Sequence, residues 1–286
     1  MGSAPWDSSR NLSKKLEMRL LILLIAITFS NGLFSQEVTP FSIGETRTFK
    51  SEILDEERTL NIYLPDSYHP DSSRAYPVVY LLDGSRNEDF IHVAGLVQFC
   101  SFSWINTLPE TIIIGIGNVD RKRDFTYPTT IEQDKKDFPT TGGSAKFIDF
   151  LEKELKPYIE QNYKVLEEAT LIGQSLGGLL ATEILLKRPT LFTNYIIISP
   201  SLWWDHESLL ALEESAFKTD RSIYVGVGKE GRVMERTAKE LYKKLRQNAI
   251  VKNRVFFNFF ENRDHGDILH EALYDAFEKL FDKKNN

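Results

Sequence analysis

Apolar runs and helix-spaced stripes alternate along most of this chain. Tyr76–Leu82 is a continuous apolar run, the pattern of a strand covered on both faces. Thr111–Gly115, the run through Ala169 to Gly173, Tyr195–Ser199, Ser222–Val227 and Val255–Phe260 have the same character. Helical stretches separate them. Phe90–Gln98 is one, and Lys146–Tyr163 carries Phe147, Ile148, Leu151, Leu155 and Ile159 on a single stripe. An apolar helix runs up to Pro189, another ends near Asn248, and a terminal one reaches about Phe281. The opening differs. Thr46–Ser51 and Arg58–Tyr63 alternate around Leu54-Asp55-Glu56-Glu57, as an antiparallel edge hairpin does. This pattern predicts an α/β fold with an eight-stranded, mostly parallel sheet and helices on both faces.

In such sheets ligands bind at the carboxyl ends of the strands. The polar, glycine-containing segments fall there: Asp83-Gly84-Ser85, Asn118 to Thr126, Ser201 to Trp204, Lys229-Glu230 and Asp264-His265. The most informative segment is Gly173-Gln174-Ser175-Leu176-Gly177, with a strand before it and a helix after it. That context makes G-x-S-x-G a nucleophile elbow, which strains the serine and lifts its hydroxyl above the sheet. Gly173 and Gly177 are expected to leave room for the helix to fold back, and Gly178 to let it pack close.

A serine nucleophile needs a base, because its hydroxyl is barely ionised at neutral pH. Of the five histidines, His265 follows the last strand in a Gly-flanked loop, where the base belongs in the order Ser, acid, His. His270 is the alternative. The orienting acid is expected after Ser222–Val227, at Glu230, with Glu235, Asp205 and Asp264 as further options. The oxyanion hole is expected from the backbone N–H of Leu176 and that of Gly84 or Ser85. A competing motif, Gly226-Val227-Gly228-Lys229-Glu230-Gly231, matches G-x-G-x-x-G. It comes late in the chain rather than opening a βαβ unit, which argues against a dinucleotide site.

The length of 286 residues suits one large domain behind a leader. Lys14, Lys15 and Arg19 precede an apolar run from Leu20 to Phe29. That run is about ten residues, where a bilayer span needs roughly 20. It reads as an export signal at residues 1–35, cleaved near Ser35 and leaving a catalytic domain at 36–286 without stable membrane insertion. A retained signal anchor is the alternative. A net charge of −6 with no long basic run excludes nucleic acid as the expected partner. Cys100 is the sole cysteine, so no intrachain disulfide can form.

With these residues in place, the chain resembles the putative-esterase family of α/β-hydrolases, which includes siderophore, feruloyl and acetyl-xylan esterases and esterase D. The likeness rests on Val79 to Gly84, Gly115-Ile116-Gly117-Asn118 with Arg121 to Thr126, Gly173 to Gly178, Ser199 to Trp204, and Asp264-His265-Gly266. It implies the α/β-hydrolase fold and a serine esterase without metal or organic cofactor, which the export signal is expected to place in the periplasm or outside the cell. The siderophore-esterase branch is the most similar. There Arg121, Arg123, Trp203 and Trp204 would line the substrate pocket, the arginines meeting anionic oxygens and the indoles stacking on an aromatic group. The substrate would be a small-molecule or glycan ester. Feruloyl or acetyl-xylan hydrolysis, acyl transfer and a non-catalytic binding module are the alternatives. Nothing in the sequence sets the oligomeric state.

Overall fold

A computed structural model describes residues 8–30, 38–250 and 254–281. The chain divides into two units, Met1–Ser42 and Ile43–Asn286. In the first, helix α1 (Ser8–Ser30) takes in Lys14, Lys15, Arg19 and the apolar run from Leu20 to Phe29. No helix among the described residues is long and apolar enough to cross a membrane. The expected cleavage point at Ser35 and the domain boundary at 36 lie outside the described residues.

The second unit opens with the hairpin β1 (Glu45–Ser51) and β2 (Glu56–Tyr63), then β3 (Tyr76–Leu81), α2 (Phe90–Ser101) and β4 (Ile112–Ile116). Short helices α3 (Arg121–Phe125) and α4 (Glu132–Asp137) follow, then α5 (Ser144–Phe150) and α6 (Lys156–Asn162). The rest is β5 (Val165–Gln174), α7 (Leu176–Lys187), β6 (Asn194–Ile198), α8 (Trp204–Glu207), β7 (Ser222–Gly228), α9 (Arg232–Asn248), β8 (Val255–Phe260) and α10 (Leu269–Phe281).

The strands form one eight-stranded sheet in the order β1-β2-β4-β3-β5-β6-β7-β8. β2 pairs antiparallel with β1 and β4, and the remaining pairings are parallel. This is the α/β architecture expected from the alternation of runs. Successive side chains of a strand face opposite sides, and β3 serves both. Val78, Tyr80 and Leu82 enter one core, while Val79 and Leu81 enter the other. Helix α7 lies in the first core and is buried from Leu176 to Leu186, as its apolar circumference requires. Leu179, Leu180 and Ile184 are each wholly buried, a transfer gain of roughly 2 kcal/mol apiece.

Two local features were not expected from the pattern. The single helix read at Lys146–Tyr163 is α5 and α6 joined by a π turn at Leu151–Leu155. Pro157 opens α6 and cannot donate to the preceding turn, which accounts for the break in α-helical bonding. The polar stretch after β4 folds into α3, which Asp120 caps by accepting the Arg123 N–H at 3.0 Å.

Candidate active site

Ser175 follows β5 directly and begins the turn into α7, with φ 60° and ψ −119°. A non-glycine residue in this region is strained and persists only where its surroundings hold it. Here they do. The Ser175 N–H donates to Ile198 O at 3.0 Å, and its carbonyl accepts from Leu179 N at 2.9 Å and Ser201 N at 3.0 Å. The turn is tight because a Cβ at Gly173 would stand 2.3 Å from the Gly177 carbonyl oxygen. Gly177 departs from expectation: a Cβ there would meet nothing closer than Asp83 Oδ2 at 3.4 Å, an ordinary contact. Gly178 behaves as expected, with Ile198 O and Pro200 Cα each 3.0 Å from the position of its Cβ.

The β8–α10 loop brings His265 to this turn. Gln174, the residue before Ser175, donates its amide to the His265 carbonyl at 2.7 Å. Within the loop, Asp264 Oδ1 accepts from Gly266 N at 2.8 Å and Asp267 Oδ1 from Asp264 N at 2.8 Å. The imidazole Nδ1 lies 2.5 Å from Glu230 Oε2. Glu230 is only 2% exposed at its side chain, against 46% for His265.

Burial alone would raise the Glu230 carboxyl. Hydrogen bonds from His265, from the Ser199 hydroxyl and from the Gly228 N–H outweigh it and hold the group below its usual range. An ionised carboxylate only accepts, so Nδ1 must carry the proton in this pair. The neutral ring then presents the Nε2 lone pair as its free basic site. Ser175, Ser201, Trp203, Glu230, Met234, Asp264 and His265 line one cavity of about 560 Å³. A hydroxyl on a strained turn, an imidazole and an orienting carboxylate therefore share one space. These are the parts of nucleophilic acyl chemistry.

A family model for putative esterases matches residues 51–270. The chain belongs to the putative esterase family. Among curated relatives of this esterase-family chain is the ferri-bacillibactin esterase BesA of Bacillus subtilis. It is 33% identical over 183 residues, covering 59% of this chain and 63% of the relative. The match thus spans less than two thirds of that protein. Among solved structures, an IroE-like serine hydrolase from Shewanella oneidensis superposes with TM-score 0.75 at 30% identity, covering 83% of this chain and 80% of that one. The BES protein of Bacillus cereus superposes with TM-score 0.72 at 30% identity, over 86% and 97% of the two chains.

Several expected site residues of this esterase-family chain lie elsewhere or are already engaged. Leu176 is the first residue of α7, so its N–H has no intrahelical acceptor. The Gly84 N–H is not open in this way. It extends the β3–β4 ladder by donating to Ile116 O at 3.0 Å. The Ser85 N–H donates to Glu88 Oε2 at 3.2 Å, a contact with an exposed side chain. Arg121 pairs with both oxygens of Asp83 at 2.6 and 2.8 Å. Arg123 is held by Asp124 at 2.7 Å and by both oxygens of Glu56 at 2.7 and 3.0 Å. Neither arginine lines the cavity. Trp203 does line it, but Trp204 is wholly buried with its indole N–H on Tyr127 O at 2.9 Å, so it cannot stack on a ligand.

The remaining alternatives separate cleanly. Glu235 accepts the Gly231 N–H at 3.0 Å, and Asp205 accepts the Thr130 N–H at 2.6 Å. His270 packs edge-on against His92, 5.8 Å between ring centres. Met234 was not singled out in advance, and Ser199 and Ser201 entered only as parts of a strand-end segment and a family motif, with no role of their own. The signal for the two serines was positional, since both sit just past the carboxyl end of β6, whereas Met234 lies in the first turn of α9.

Proposed function

We propose that this chain is a serine esterase that hydrolyses the ester bonds of siderophores after export from the cell. The observation that carries the reading is the Glu230–His265 pair at 2.5 Å in the cavity lined by Ser175. Membership of an esterase family and likeness to a ferri-bacillibactin esterase support the substrate class. Trp203 and Met234 on the cavity wall suit a flat aromatic group.

In this mechanism Ser175 Oγ attacks the ester carbonyl while His265 Nε2 takes its proton. Glu230 holds the Nδ1–H and steadies the imidazolium that forms. The oxyanion rests on the Leu176 N–H at the positive end of α7. The second donor is the Ser85 N–H, freed when the exposed Glu88 side chain is displaced; a side-chain contact yields more readily than the ladder bond that engages Gly84. His265 then protonates the leaving alcohol, giving an acyl-Ser175 intermediate. Water, activated by the same imidazole, releases the acid and restores Ser175. Before the domain, the basic and apolar stretch in α1 acts as an export signal cleaved near Ser35, placing the enzyme in the periplasm or outside the cell.

Hydrolysis of p-nitrophenyl acetate and of a catecholate trilactone tests this directly. Ser175→Ala should lower kcat for both by at least about 10³-fold. Undiminished turnover in that variant rejects the mechanism. Preference for a feruloyl sugar over the trilactone keeps the mechanism but rejects the substrate class. N-terminal sequencing of exported protein should begin near Gln36, and a start at Met1 or Met18 rejects signal cleavage.

A further inference from the structure

We propose that Ser199 is a positioning residue whose buried hydroxyl holds one oxygen of Glu230, so that the other oxygen is aimed at His265. The inference rests on the roles given above to Ser175, His265 and Glu230. Ser199 follows β6 directly and is wholly buried. Its N–H donates to Gly226 O at 2.8 Å, tying it to β7 just before the Glu230 loop. Its hydroxyl donates to Glu230 Oε1, which also accepts the Gly228 N–H at 2.9 Å. Glu230 Oε2 is left to His265 Nδ1 at 2.5 Å. Each carboxylate oxygen thus has its own task.

Two features argue that the serine matters as a hydroxyl. Its φ is 44°, a region where glycine or asparagine would be the undemanding choice. A side chain is nevertheless kept there, and its polar atom meets the carboxylate. A glutamate side chain also has several rotamers to lose on ordering. The Gly228 N–H alone is a single anchor on the same oxygen, and one bond leaves the carboxyl plane free to turn about it. A second donor from a different strand removes that freedom. Ser199 does not line the cavity, whereas Ser201 does. Its effect must therefore pass through Glu230 rather than through contact with substrate.

The test compares Ser199→Ala in the unmodified chain and in Glu230→Ala. In the first, kcat should fall about tenfold with KM unchanged, the scale of one hydrogen bond to a charged group. In the second, the same substitution should change kcat less than about twofold, because the path of action is gone. The carboxyl carbon resonance of Glu230 should titrate at higher pH in Ser199→Ala than in the unmodified chain. Ser199→Gly, which tolerates the positive φ, repeats the experiment if the alanine variant folds poorly. A tenfold loss that persists in the Glu230→Ala background overturns the proposal, as does an unmoved Glu230 titration. Unaltered kcat in Glu230→Ala also overturns it, while leaving Ser175 and His265 in place. If Ser175→Ala stays active the catalytic reading fails separately, and the Glu230 titration still decides whether Ser199 holds that carboxylate.

Discussion

Two charged clusters stand at the carboxyl edge of the sheet, and they treat their carboxylates in opposite ways. After β7, Glu230 is alone: one oxygen takes the Ser199 hydroxyl and the Gly228 N–H, and the other takes His265. After β3, Asp83, Glu88 and Asp89 crowd around a single guanidinium. Arg121 grips both oxygens of Asp83, and Asn118 donates to Asp83 at 2.7 Å and to Glu88 at 3.1 Å. Burial raises carboxyl groups at both places. At Glu230 the hydrogen bonds win and the group is pulled down. At Asp89 burial is joined by repulsion from Asp83 and Glu88, Arg121 offsets little of it, and the group is pushed up to about 6. Donors per carboxylate, not depth, decide which group stays charged.

If that contrast is right, each cluster should break in its own currency. Glu230→Ala should reduce kcat by about 10²–10³-fold, the largest effect, since the imidazole loses its orienting partner. Its thermal unfolding should shift far less, because the donors left behind, Ser199 and Gly228, are uncharged. Arg121→Met should do the reverse. It leaves the largely buried Asp83 carboxylate with Asn118 for a partner, at a cost of about 2 kcal/mol once the partial exposure of the pair is allowed for. For a unit of this size that lowers Tm by about 4–8 °C. Adding Asp83→Asn should recover much of the loss, because the uncompensated charge goes with it. A kcat collapse in Arg121→Met without a Tm change would place that arginine back in the substrate pocket.

How far each cluster could be foreseen follows from how local its causes are. Ser175 stood out because strand, turn and helix are contiguous in the chain, so the pattern itself carries the geometry. His265 and Glu230 were placed by rank order, each just past a strand in the second half of the sheet. The arginine cluster is different. Arg121 meets Asp83 across 38 positions and Arg123 meets Glu56 across 67. No periodicity encodes such pairings, so both arginines looked available for a ligand. Trp203 and Trp204 show the same limit at short range. They are adjacent, yet one faces the cavity and the other is enclosed by the core, as consecutive positions of a helical turn project about 100° apart. The Gly84 N–H is engaged for a further reason: the β3–β4 ladder continues one bond past the strand's apparent end.

The sharpest test of the contrast is Asp89→Asn. Asp89 precedes α2 at its N-cap, yet its side chain makes no capping hydrogen bond, so the amide forfeits no cap. In the unfolded chain this carboxyl titrates near its ordinary value of about 3.9. In the folded chain it is pushed up to about 6, by burial first and by Asp83 and Glu88 next. Between about pH 4 and pH 6 the folded state therefore holds a proton that the unfolded state has released. Stability falls as pH rises through that window and levels off above it. The amide cannot ionise and escapes this loss. At pH 4 the two proteins should unfold at similar urea concentrations. At pH 7 the asparagine variant should be more stable by about 1–2 kcal/mol, roughly half the full linkage value because the site is partly exposed. A difference of the same size at both pH values would mean that the crowding around Arg121 imposes no charge cost. The β3 cluster would then be as well satisfied as the one around Glu230.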